Sequence, residues 1–147
     1  MTEPPGELLL EQRVERPQED PYAKRVNRDG SVYEYTSVTA SYGGGQWRFG
    51  TQPLEWRPLA HLPPEAVAEL EDAIRRDGVV DLPAEHVTEG TSIGGSYVIW
   101  TVEVDRRRHT VTLVAVGGEQ PVPFGELDRL LQLEVARALA PDDDEPA

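Results

Sequence analysis

Two clusters of residues in this 147-residue chain have the types and spacing for contact chemistry. Tyr42, Trp47 and Phe49 surround the triplet Gly43-Gly44-Gly45, with Trp56 close behind. Glycines let a backbone approach a partner closely, and large aromatic side chains supply the anchors that dominate protein interfaces. Trp47 and Phe49 are two positions apart and share a face in a strand, so burial of both in a core competes with exposure for binding. The second cluster is Arg106-Arg107-Arg108, a basic run at an expected hairpin tip, where a solvated turn competes with a contact point for an acidic partner.

Catalytic chemistry is poorly supplied. With no cysteine, thiolate catalysis, disulfides and cysteine-based zinc sites are excluded. His61, His86 and His109 stand too far apart in sequence for a ligand pair on one helix, so no metal is expected. Ser92, Ser96, His86 and Asp81 are close together, but nothing resembles a nucleophile elbow, and serines beside Gly94-Gly95 are ordinary turn formers. Neither glycine run is followed by the lysine or helix N-terminus that a phosphate cradle requires, so both read as hairpin or bulge glycines. The expectation is a protein without catalytic activity or cofactor.

A formal net charge of −13 sets the field around the chain and disfavours nucleic acid or an anionic membrane surface as a partner. No stretch approaches the ~18 apolar residues of a membrane span, and Leu8 to Leu10 is too short an apolar run for a secretory signal. A cytoplasmic location is therefore expected. Residues 61–90 hold eight acids against two bases and residues 121–147 seven against two, whereas 31–60 and 91–120 are neutral. The neutral blocks concentrate Val, Thr, Tyr and Trp, which suit a half-buried pleated surface, so they read as sheet and the acidic blocks as helix.

The elements that position the two clusters follow from local patterns. Residues 1–30, with four prolines among mixed charges, read as an arm carrying at most a short strand at Leu8 to Val14. Asp29-Gly30 signals a turn before a strand from Val32 to about Ala40; the glycine triplet then breaks the chain. A second strand runs through Gln46 to Leu59, bulged or at an edge because of Pro53. Leu62 to Gly78 has prolines in its first turn, arginines in its last, a glycine stop and a Val67, Leu70, Ile74 stripe, all marks of a helix. Val79 to Leu82 reads as a short strand. Tyr97 to Val104 and His109 to Val116 alternate as a hairpin around Asp105 to Arg108. A second helix is expected from Phe124 to Ala140, burying Leu127, Leu130, Leu131, Val135 and Ala138, before a disordered acidic tail at 141–147. The fold class is α+β: one domain at 31–140, an antiparallel sheet of four to five strands with two helices packed on one face.

This succession resembles a known family. Leu62-Pro63-Pro64-Glu65 with Leu70 and Ile74 is followed by Gly78-Val79-Val80-Asp81-Leu82-Pro83, then by paired strands around Trp100-Thr101-Val102-Glu103-Val104 and Arg108-His109-Thr110-Val111, and last by Pro121 or Pro123 opening a helix. Over roughly residues 38–139 the chain is similar to the emfourins, small bacterial inhibitors of thermolysin-like zinc metallopeptidases. Gly43-Gly44-Gly45-Gln46-Trp47 stands where that family has a Gly-Gly-Phe type of segment. The resemblance implies a non-catalytic binding protein that inhibits a metallopeptidase. The alternative is an acidic accessory, scaffold or immunity-type protein that binds a basic partner through its acidic helices.

Overall fold

The computed structural model describes residues 4–15, 20–76, 78–87, 96–115 and 122–139. Among them are seven strands: β1 (Leu8–Glu15), β2 (Tyr22–Asn27), β3 (Ser31–Gly43), β4 (Gln46–His61), β5 (Glu85–Val87), β6 (Ser96–Val104) and β7 (Arg107–Ala115). Two helices, α1 (Pro64–Arg76) and α2 (Val122–Leu139), complete the α+β fold. The sheet order is β4-β3-β2-β1-β6-β7-β5. All neighbours are antiparallel except β5, which pairs parallel with β7.

The first thirty residues are not an arm outside the domain. β1 occupies the middle of the sheet, with Leu10 opposite Val26 on one side and Val102 on the other. A register shift between Leu8 and Leu10 explains how three consecutive leucines are all buried. A bulge inserts one unpaired residue, so Leu9 and Leu10 both join the core, which an unbroken strand would forbid. The sheet consequently has two to three strands more than expected. The expected tail at 141–147 lies outside the described residues.

Hairpin chemistry sets the other boundaries. Gly30, at φ +96°, turns β2 into β3, and a Cβ there would lie 2.3 Å from the Leu62 carbonyl oxygen, so only glycine fits. β4 is a single edge strand running through Pro53 and Pro58, and its register with β3 slips between Thr36 and Val38, opposite Pro53. Proline is tolerated here because an edge strand has one side without a ladder, and it also discourages pairing with another chain.

α1 buries Ala66, Leu70, Ala73 and Ile74, with Val67 half-buried beside them. Gly78, in the left-handed region at φ +65°, reverses the chain after α1, and the Asp81 and Leu82 amides bond back to Gly78 and Val79. Val79–Asp81 is therefore a 3-10 turn, not the expected strand; the strand comes at Glu85–Val87. His109 fixes this connection: its Nε2–H donates to the Leu82 carbonyl at 2.7 Å, the tautomer required because a carbonyl can only accept.

α2 buries Phe124, Leu127, Leu131 and Val135, with Leu130 packed at the margin. Ala138, expected to be buried, is exposed, because the last turn passes beyond the packed stripe. The Phe124 ring stacks on Trp100, with centroids 5.5 Å apart and planes 23° apart. The buried side chains of both helices form one cluster with Leu10, Val26, Val32, Trp100, Val102 and Val111.

One polar group is enclosed between the helices. Glu134 is 5% exposed and sits 3.3 Å from the Arg137 guanidinium. Burial, reinforced by a hydrogen bond with Glu69 of α1, pushes its carboxyl above the usual range. A raised folded-state value favours the fold most below pH 4.5, and that contribution is lost as pH rises through the folded-state value. Glu134→Gln removes this titration. The variant is expected to melt above the wild type at pH 7, with the gap closing below pH 4.5; thermal melts at both pH values check it.

Candidate functional site

The glycine triplet forms a hairpin turn, in line with its reading as hairpin or bulge glycines. Gly44 and Gly45, at φ +62° and +80°, are the two central residues of a tight turn closed by Gly43 opposite Gln46. Such turns match the strand twist but need positive φ at both positions. Beyond Tyr35, the last β3 residue paired with β2, the ladder of β3 with β4 continues through Val38 opposite Thr51, Ala40 opposite Phe49 and Tyr42 opposite Trp47. Residues 38–51 thus form a two-stranded arm projecting from the sheet corner. A Cβ at Gly44 or Gly45 would meet nothing within 4 Å.

Phe49 is 72% exposed on this arm, which rules out the core position that its strand parity allowed. Arg48, Gln46 and Gly50 are exposed beside it. The side chains of Tyr42 and Trp47 lie outside the described ones; their backbones pair directly across the ladder. Trp56 lies at the base of the arm, its ring 5.3 Å from that of Tyr35. Nearby the Tyr22 hydroxyl donates to Glu34 Oε2 at 2.5 Å. Burial and that carboxylate hold the phenol far above its ordinary range, so it remains a donor.

The arginine triplet does not act as a unit. The β6–β7 turn is Asp105-Arg106 alone, both at positive φ (51° and 64°), and Val104 opposite Arg107 closes it. Arg107 approaches Asp81 at 3.9 Å, while Arg108 bonds Glu103 through Nε and Nη2. Asp105 accepts a two-pronged bond from Arg75 of α1, at 3.1 and 2.8 Å, which holds the aspartate below its usual range and the arginine above its own. Arg106 and Arg108 border a cavity of about 700 Å³ that also draws in Arg25, Arg28 and Arg75. Sequence reasoning missed those three: Arg25 and Arg28 belong to β2 and the turn after it, in the segment expected to lie outside the domain.

The structure does not bring the two clusters together, since the glycine turn belongs to the β3–β4 arm and the arginines to the β6–β7 turn. Among the described residues no group of three or more His, Cys, Asp or Glu could hold a metal ion, and no helix is long and apolar enough to cross a membrane. Ser92 and the His86 side chain lie outside what is described. Comparison with family models, curated proteins and solved structures finds no match to this chain, so the emfourin resemblance rests on the residues quoted for it.

Proposed function

We propose that the protein is a cytoplasmic, non-catalytic binding protein that engages a protein partner through the β3–β4 arm, both helices covering one face of the sheet and leaving the arm clear. The observation that carries this reading is Phe49, an aromatic side chain 72% exposed on a projecting hairpin. An aromatic anchor on a preformed hairpin loses little conformational freedom on binding, which is the economy of a rigid inhibitory loop. The resemblance supplies the partner class, a thermolysin-like metallopeptidase.

The purified protein is expected to slow such a peptidase from its own host at micromolar concentration. Phe49→Ala should weaken inhibition by about tenfold or more, as for an interface hot spot, with the melting temperature unchanged because little of the ring is buried. No inhibition by the wild type removes the peptidase as partner; full inhibition by the variant removes the arm as the contact. The second reading, binding of a basic partner, draws on Glu65, Glu69 and Asp72, which are exposed along α1. A complex dissolved by raising salt from 0.05 to 0.5 M (roughly a threefold shorter screening length) would favour it.

A further inference from the structure

The cavity at the β6–β7 turn is independent of the arm and has a distinct chemistry. Five of the chain's 14 basic residues, Arg25, Arg28, Arg75, Arg106 and Arg108, border one space in a protein of net charge −13. Arg25 is only 4% exposed, and its guanidinium is fixed by the Asn27 side chain at 2.8 Å and the Gly6 carbonyl at 3.2 Å. Arg28 is held between Glu71 and the Glu103 carbonyl. Among the described residues four carboxylates, Glu7, Glu71, Glu103 and Asp105, share the lining, so the described lining carries one positive charge in excess.

That excess is located. Arg106 has no hydrogen-bond or ion-pair partner among the described residues, and Nη1 of Arg108 is unused while Nε and Nη2 hold Glu103. The backbone supports the same assignment. Arg106 stands at φ +64°, where the common residue of such a turn is glycine, and a side chain there is kept against a conformational cost. A solvated turn would need no arginine at that position.

We propose that this cavity binds a small molecule through one oxyanion group, a carboxylate or a phosphate monoester, received by Arg106 and Arg108 with Arg25, Arg28 and Arg75 as a preorganised wall. Guanidinium forks match the paired oxygens of such groups, and a single excess charge suits a ligand of low charge, not a polyphosphate.

The test measures the melting temperature of the full chain in inorganic phosphate and in succinate, each against sodium chloride of equal ionic strength. Either anion should raise the wild-type melting temperature beyond chloride. A response to phosphate alone assigns a phosphate ester, to succinate alone a carboxylate, and to both an oxyanion site open to either. Arg106→Gly should abolish the response and raise the ligand-free melting temperature by about 3 °C by relieving the backbone. Arg107→Ala, one residue away but directed to Asp81, should keep it. The proposal falls if neither anion exceeds chloride, if Arg106→Gly still responds or melts lower without ligand, or if Arg107→Ala stops responding.

Discussion

A chain beginning at residue 16 is expected not to fold. Such a truncation removes β1 and leaves every other strand intact. β1 is laddered on both sides, to β2 and to β6, and its loss turns two interior strands into exposed edges. It also removes Leu8, Leu9 and Leu10, all buried, and full burial of a leucine contributes roughly 1.5–3 kcal/mol. Together the three approach the whole stability of an ordinary domain, about 5–15 kcal/mol, before any ladder bond is counted. The remaining polar groups fail as well, since Asn27 is fully buried with its side-chain amide on the Pro5 carbonyl and Arg25 leans on Gly6. Far-ultraviolet circular dichroism and amide proton dispersion of residues 16–147 check this. A cooperative melt near that of the full chain would mean β1 is peripheral.

The second large effect belongs to Trp100. Its side chain is fully buried on β6 and stacked on Phe124, the residue that seats the start of α2. Trp100→Ala leaves the Phe124 ring without its neighbour and opens a void that helix and strand cannot both close. The expected loss is about 3–5 kcal/mol in chemical denaturation. Part of it is shared: a double-mutant cycle with Phe124→Ala should return a coupling of about 0.5–1.5 kcal/mol, the worth of an aromatic pair beyond burial. A loss under about 1 kcal/mol from Trp100→Ala would mean that α2 does not rest on that ring.

The elements most legible in the sequence are those where one periodicity runs unbroken. Val98, Trp100, Val102 and Val104 alternate without interruption, and β6 covers them all. Leu70 and Ile74, between a Pro-Pro start and Gly78, marked α1 to within two residues of each expected end. A strand at Leu8 to Val14 was legible, but its central place in the sheet and the whole of β2 were hidden, for two physical reasons. The bulge at Leu9 buries three consecutive apolar residues and so breaks the alternation that would mark a central strand, and Arg25 and Asn27 are polar groups satisfied inside the fold, where composition suggests solvent. β5 is too short to register as a pattern, and its partner β7 is remote in sequence. Phe124 lies three residues before Leu127 and seven before Leu131, so the helical stripe already contained it. Of the candidate sites, the glycine turn was visible because glycine adopts positive φ at two adjacent positions without steric cost. The arginine cavity was not, because β2, α1 and the β6–β7 turn meet there only after the sheet has formed.

The same sheet order governs when the protein can become a protein at all. β2, β3 and β4 form a meander of near neighbours in sequence, complete once residue 61 has cleared the ribosome. β1 can join them on one side, but its other side waits for Val98 to Val102, and α1 must be bypassed before that pairing closes. During synthesis the first half therefore leaves the ribosome with an unpaired strand edge facing its surroundings. Closure of this long loop is therefore expected to be slower than the formation of either helix, because it joins residues far apart in sequence.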